Sequence, residues 1–557
     1  MMQKNSNYYN ESLIVTKEFI QSITMVDDKA VFSNGTPVGS GFFDAGAMVK
    51  NFASQGVMCS IFKFTEEDDI SRITAISQKS DITVLDWRML LSEKHDVEED
   101  DDLEEDSKDS KGFYTLEILK NVITCDYNKF KLFIVYTEEI DFNRIIDEIE
   151  STLQSVGQNV IKDKKSFSIL CNSNKIVILG KESLKSTVKH TKEIGERSFT
   201  YSELPDIIYE EFVNFTHGVV SNLLLKSITA IRANTYFLLN TFQRDIDAAF
   251  IAHKGLLPNP DDAHDHILEL IGTEIKSIII GGLRETITNS QIESFIETLE
   301  KKELVFQSVI DDLKKIANIN VTNIPNKFTT DEFKNLFRNG IIATCKYENE
   351  SAKSNIELSK KAVKYLPQII IRGYDATLKK TDVEKLAKKS NIRFAKLTTV
   401  RNRYLNSNKP ILTLGVILKG TTVSGKDEYW ICIQPKCDSV RIVESENMHQ
   451  GRPFMFLCLT KTSSNGEIII DANLGFKIEY NIIKSRQFMF KPTKKGMVVV
   501  KGNTSDDWFF LDSFGRRFEY IAELKNDFAQ GIANTFASKV SRVATNHSEW
   551  LRINSNK

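Results

Sequence analysis

The chain has 557 residues, 41% of them hydrophobic and 27% charged, with a formal net charge of -2. At roughly 100–200 residues per domain this length holds about three to four domains, with ample apolar side chain for their cores. Near-neutral charge argues against a wholesale nucleic-acid binder, since such proteins concentrate positive charge to meet phosphates. No apolar run approaches the ~20 residues that would cross a bilayer, so no membrane role is expected.

The N-terminus, Met1 to Asn7, is polar and lacks the apolar centre of a secretory signal. Cys59, Cys125, Cys171, Cys345, Cys432, Cys437 and Cys458 are scattered, several among strand-like neighbours. That pattern suits buried thiols in a reducing compartment, and a cytoplasmic protein is expected. Cys432 and Cys437 lack zinc-knuckle spacing and read as core thiols.

From residue 19 to 181, the apolar runs Phe19–Val26, Val57–Phe64, Ile82–Leu85, Leu132–Tyr136 and Lys175–Leu179 alternate with amphipathic stretches such as Phe43–Phe52 and Phe142–Leu153. This alternation predicts βαβ units around a parallel sheet, whose buried strands need continuous apolar runs. The rhythm is broken between Glu93 and Lys111 by the acidic run Glu98 to Asp106, which reads as a solvated surface insertion because packed like charges repel. The first domain therefore covers 1–182, followed by a lysine-rich linker over 183–200. A helical domain is expected over 201–405, with Leu224, Ile228, Ile231, Leu238 and Phe242 on one face. Within it, Asp261 to His266 reads as a helix cap in preference to a metal site, His217 and His253 as packed or surface residues, and the basic stretch Lys379 to Arg403 as a solvated amphipathic helix. Residues 406–557 form a β-rich domain, with strands at Tyr429–Ile433, Phe454–Leu459, Glu467–Ile470, Met497–Val500 and Trp508–Leu511 and a final helix from Tyr520 to Val543. The fold class is thus multidomain: α/β, then all-α, then mainly β with a C-terminal helix.

In an open parallel sheet, functional groups gather at the carboxyl ends of the strands. The first strand ends in Asp27-Asp28, the third in Asp86, the fourth in Thr137 and the last in Lys181. Three carboxylates, a hydroxyl and an ammonium on one sheet edge suit phosphoryl transfer. Mg2+ takes oxygen ligands and relieves the mutual repulsion of the acids. Asp86 is the candidate nucleophile, with Thr137 and Lys181 meeting the charge on the transferred group.

This ordered set resembles the receiver domain of bacterial response regulators, a flavodoxin-like doubly wound fold. The resemblance implies Mg2+ held by Asp27, Asp28 and Asp86 with the Arg88 carbonyl as a further ligand, Asp86 as phosphoacceptor, Thr137 as switch hydroxyl and Lys181 as the phosphate-pairing lysine. Three features differ from the family pattern: the spacings are stretched, Glu182 follows Lys181 in place of proline, and Ile178 stands where many receivers carry a switch aromatic. The segments Phe212 to Gly218, Leu256-Leu257-Pro258, Ile433 to Val440 and Ser548 to Arg552 resemble the effector-less response regulators of defensive two-component (Detocs) anti-phage systems. That likeness implies a cognate histidine kinase as partner, shared with a separate effector response regulator, and a phosphate sink that damps accidental activation without an output enzyme. The alternative is an effector switched by phosphorylation of Asp86, with a polar cluster such as Asp438, Arg441, Asp507 and Arg516 as its site.

Overall fold

The computed structural model describes residues 6–32, 43–89, 112–124, 130–185, 192–257, 260, 262–283, 289–298, 331, 334–335, 337–340, 366–368, 370–372, 377–403, 409–422, 424–440, 451–463, 466–494 and 496–540. The acidic run Glu98 to Asp106, Pro258, Asp261, Arg441 and Ser548 to Arg552 lie outside these residues. Two compact units are present, Met1–Thr298 and Leu299–Lys557.

The first unit opens with helix α1 (Asn7–Phe19), whose first turn is capped by the Ser6 hydroxyl accepting from the Tyr9 amide at 3.2 Å. Then come strands β1 (Ser22–Asp27), β2 (Ala30–Val31) and β3 (Phe43–Asp44), helix α2 (Ala45–Ser54), strand β4 (Met58–Lys63), helix α3 (Asp69–Ser77), strand β5 (Ile82–Leu85) and helix α4 (Phe113–Ile123). Strand β6 (Lys131–Thr137) leads into helix α5 (Phe142–Ser155) and strands β7 (Val160–Asp163), β8 (Ser168–Cys171) and β9 (Asn174–Lys181). The main sheet runs β4-β1-β5-β6-β9-β8-β7. Its first five strands are parallel, while β7 and β8 form an antiparallel hairpin against β9. Numbered by chain order of the parallel strands, this is the 2-1-3-4-5 doubly wound arrangement, which places its crevice outside the ends of β1 and β5.

Both faces of the sheet are covered, which explains the unbroken burial of β6 along its whole length. On one face Ile118 and Leu119 of α4 and Phe142, Ile145, Ile146, Ile149 and Leu153 of α5 pack over Leu85, Phe133 and Ile178. The α5 residues recur at three- and four-residue steps, one stripe of a helix whose start is capped by Asp141. At the start of α4, Gly112 has a φ of 71° and lies against the Trp87 indole, so a Cβ there would overlap the ring.

The chain after β9 stays with this sheet. A 3-10 turn (Glu182–Lys185), helix α6 (Lys192–Glu196) and strand β10 (Ser198–Phe199) bring it back beside Gly180 and Lys181. Helices α7 (Leu204–Thr216) and α8 (Val219–Ala233) then supply Leu204, Ile208, Tyr209, Phe212 and Leu225 to the second face, together with α1 and α2. Buried Glu211 of α7 accepts from Lys175 of β9 at 3.2 Å and from Arg197 at 2.7 Å. Arg232 of α8 donates to Asp81 and to the Phe19 carbonyl, both at 2.8 Å. The expected linker at 183–200 therefore carries a strand of the main sheet, and the first part of the 201–405 helical stretch shares the sheet's core. No local pattern marks this, because the apolar faces of α7 and α8 read the same whatever they cover. Helices α9 (Thr235–Thr241), α10 (Asp247–Leu256), α11 (Asp262–Leu283) and α12 (Asn289–Thr298) complete the unit.

The second unit contains helix α13 (Lys380–Thr399), an antiparallel sheet and a final helix. Strands β11 (Val416–Thr421) and β12 (Asp427–Cys432), the short helix α14 (Lys436–Ser439), and strands β13 (Arg452–Thr462), β14 (Ile468–Ile469), β15 (Gly475–Ile478), β16 (Arg486–Phe490), β17 (Phe509–Leu511) and β18 (Arg517–Glu523) precede helix α15 (Asn526–Val540). The sheet order is β14-β15-β13-β12-β11-β18-β17, with β16 against the first half of β13. Ala529, Ile532 and Phe536 of α15 cover one face, and Trp430, Phe454, Phe456, Phe490 and Phe518 are among the aromatic core of the other.

Several local expectations shift. Phe19 ends a helix in place of opening a strand, and Tyr520 lies in β18, because a partner strand is available to pair with it. The predicted helical face around Leu224 divides at Asn234 into α8 and α9, and Leu225 is buried while Leu224 is 60% exposed. Cys432 is buried as expected, but Cys437 is an exposed thiol on α14. Asp262 opens α11, and the His253 and His266 rings lie 5.2 Å apart. On α13, Val383 and Ala387 are buried while Phe394 is exposed among its lysines.

Candidate functional site

Each predicted site residue stands at the carboxyl end of a parallel strand because its apolar predecessors fill the strand. Asp27 is the last residue of β1 and Asp28 follows it; Asp86 directly follows β5; Thr137 ends β6 and Lys181 ends β9. The backbone fixes Asp86 further, its amide donating to the Val26 carbonyl at 3.0 Å. Its own carbonyl accepts from the Thr115 hydroxyl of α4 at 2.5 Å.

Lys181 reaches across from the far side of the crevice. Its ammonium donates to Asp86 Oδ2 at 2.6 Å and to Asp27 Oδ2 at 3.0 Å. Asp27, Asp28 and Asp86 are all buried, and each offers a carboxylate oxygen within 4.8 Å of the others. An all-oxygen set of three clustered carboxylates fits a hard divalent cation such as Mg2+, which takes one or two of them and keeps waters. Arg88 lies beside the cluster, its amide donating to Asp86 Oδ1 at 3.4 Å while its side chain is exposed. Thr137 pairs in register with Gly180, next to Lys181, and its hydroxyl accepts from the Glu139 amide at 3.0 Å.

The electrostatics express the crowding. Burial pushes the Asp86 carboxyl up to about 7; the Lys181 ammonium opposes that rise, and Asp27 and Asp28 add to it. Burial by itself would lower Lys181, but Asp86 and Asp27 more than reverse this and hold the ammonium well above its ordinary range. For Asp86 the folded value lies above the ordinary 3.8, so between about pH 4 and pH 7 the folded state binds more protons than the unfolded one. This carboxyl's contribution to stability therefore falls as pH rises through that window, by at most roughly 1.4 kcal/mol per pH unit. A divalent cation competes with that proton, so Mg2+ should raise the melting temperature more at pH 8 than at pH 5. Melts with Mg2+ and with EDTA at both values check this, and equal shifts would remove Asp86 from the cation's ligands.

Sequence reading did not pick out Thr115, Tyr136 or Tyr201, nor the Lys29 amide that donates to Asp27 Oδ1 at 2.8 Å. Tyr136 precedes Thr137 on β6, and the Lys181 Nζ lies 5.9 Å from its ring centroid. Its position on a buried strand was the available signal. Tyr201 has none, since it lies beyond the last parallel strand and reaches the site only through the path of β10. Of the other polar cluster, Arg441 lies outside the described residues, and Asp507 and Arg516 each take a different partner. Asp507 pairs with Arg517 at 3.3 Å and Arg516 with Asp512 at 2.8 Å.

A doubly wound sheet with an acidic triad at its switch point and a lysine bridging two of the acids defines the class of phosphoacceptor signalling domains. In agreement, residues 19–186 match the family model of the response receiver domain, so the chain carries a receiver domain over those residues. No curated protein and no solved structure matches it. A receiver domain accepts phosphate from a histidine kinase in general and binds Mg2+ in an acidic pocket of this kind. Among the described residues, no helix is long and apolar enough to cross a membrane.

Proposed function

We propose that this protein accepts a phosphoryl group on Asp86 from a cognate histidine kinase and acts as a phosphate sink. The observation that carries the reading is the Lys181 ammonium held between Asp86 and Asp27, with Asp28 in the same buried cluster. In this reading an Asp86 carboxylate oxygen attacks the phosphorus of a phosphohistidine in line. The P–N bond breaks as the acyl phosphate O–P bond forms, and the leaving imidazole takes up a proton. Lys181 turns from Asp86 to the transferred group and meets one equatorial oxygen, while the Thr137 hydroxyl hydrogen-bonds another. Asp27, Asp28, Asp86 and the Arg88 carbonyl would hold Mg2+, which when bound neutralises charge on the phosphoryl oxygens.

The sink role in an anti-phage two-component system is supported by the likeness of Phe212 to Gly218 and Ile433 to Val440 to effector-less Detocs regulators. The protein would share its kinase with a separate effector response regulator and drain stray phosphate from it. Overproducing the wild-type chain alongside that kinase should weaken the kinase's output. Unchanged output, together with toxicity of an Asp86→Glu variant, would instead identify a phosphorylation-switched effector.

A further inference from the structure

We infer that Tyr201 is a positioning residue of the phosphoacceptor site, supplied by chain beyond the matched receiver domain, whose phenol holds the Lys181 ammonium in its place between Asp27 and Asp86. The inference rests on the phosphoacceptor reading of Asp86.

The path of the chain explains how so distant a residue arrives. Strand β10 pairs in parallel with the end of β9, Ser198 opposite Gly180 and Phe199 opposite Lys181. The Gly180 amide donates to the Arg197 carbonyl at 3.0 Å, and the Ser198 side chain occupies the space a Cβ at residue 180 would need. Close approach here therefore depends on glycine. Two residues past β10, Tyr201 stands beside Lys181. Tyr136 fixes it from the neighbouring strand: the Tyr136 hydroxyl donates to the Phe199 carbonyl at 2.6 Å, and the two tyrosine rings meet edge-on at 5.3 Å. Glu211 holds the same segment from behind through Arg197 at 2.7 Å and Lys175 at 3.2 Å.

An ammonium has three N–H donors. Two go to Asp86 Oδ2 and Asp27 Oδ2, and the Tyr201 phenol interacts electrostatically with the same ammonium. Burial pushes the phenol well above its ordinary range, so it meets the cation as a neutral oxygen. A flexible four-carbon side chain is thereby aimed before phosphate arrives, which lowers the entropy lost on reaching the transferred group.

Tyr201→Phe keeps the ring and removes the oxygen. In the full-length protein with Mg2+ and acetyl phosphate, it should slow phosphate incorporation roughly tenfold, the factor expected for one polar contact to a charged group. The same change in a Lys181→Met background should subtract nothing further, because Tyr201 acts through Lys181. Amide exchange in β6 should match wild type. A wild-type rate in Tyr201→Phe, an equal loss in the Lys181→Met background, or faster exchange in β6 would each overturn the inference and leave Asp86 as acceptor. A wild-type chain that takes no phosphate would overturn the phosphoacceptor reading, and this inference with it.

Discussion

Asp86→Asn should take up no phosphate from acetyl phosphate or from a phosphorylated partner kinase, where the wild-type chain takes one hydroxylamine-sensitive phosphate. The substitution is nearly isosteric and leaves the local frame intact: the amide to Val26 at 3.0 Å and the carbonyl bond from Thr115 at 2.5 Å belong to the backbone of residue 86. What disappears is the nucleophile, since an amide oxygen lacks the charge and lone-pair availability of a carboxylate. The remaining acids, Asp27 and Asp28, stay buried nearby, so intact mass followed by peptide mapping is the decisive measurement. Phosphate persisting on the Asp86→Asn chain would move the acceptor to another side chain. Its absence from both chains would mean that the cluster serves the fold alone.

The second large effect concerns stability. Lys181 is 4% exposed and bridges Asp86 and Asp27. Lys181→Met keeps the stem volume but strips the cation from a buried acidic cluster. Breaking a buried ion pair from one side leaves an uncompensated charge and costs about 3–5 kcal/mol. Part of that is recovered by protonating Asp86, which burial already favours, so the loss should be greater at pH 8 than at pH 6. Saturating Mg2+ should restore about 2–3 kcal/mol, as a ligand does when its concentration exceeds Kd by ~100-fold. The chain has two compact units, and a single global melt would mix their transitions. Amide exchange of β5 and β6, read by mass spectrometry in EDTA and in Mg2+, isolates the effect. Wild-type protection of those strands in EDTA would show that Lys181 contributes nothing to holding the acids together.

The candidate site was legible in the sequence to an unusual degree because its residues are placed by local rules. A buried parallel strand must be apolar along its length, so the first polar residue after Thr24-Met25-Val26 or Ile82-Thr83-Val84-Leu85 marks the strand's end. Those ends share one edge of the sheet. Asp27, Asp28, Asp86, Thr137 and Lys181 followed from that alone, as did helix α5 from its stripe of isoleucines.

What the sequence left undetermined depends on contacts between distant positions. Lys181 meets Asp27 and Asp86 across 154 and 95 residues, and Arg232 meets Asp81 across 151. Local pattern could place Lys181 on the right edge but not between two particular acids. The β7–β8 hairpin is short and half exposed, so its alternation is too weak to read before β9 offers an edge. The apolar stripes of α7 and α8 specify that something covers them, and only packing decides that it is the receiver sheet. For the same reason the polar stretch after Lys181 reads as a spacer, although it returns as β10 and brings Tyr201 to the site. The sequence by itself determined strands β1, β5, β6 and β9 and which residues end them, because burial on both faces imposes a one-dimensional code. Tertiary structure alone decided what completes the site, because that depends on which surfaces the sheet leaves for later chain to cover.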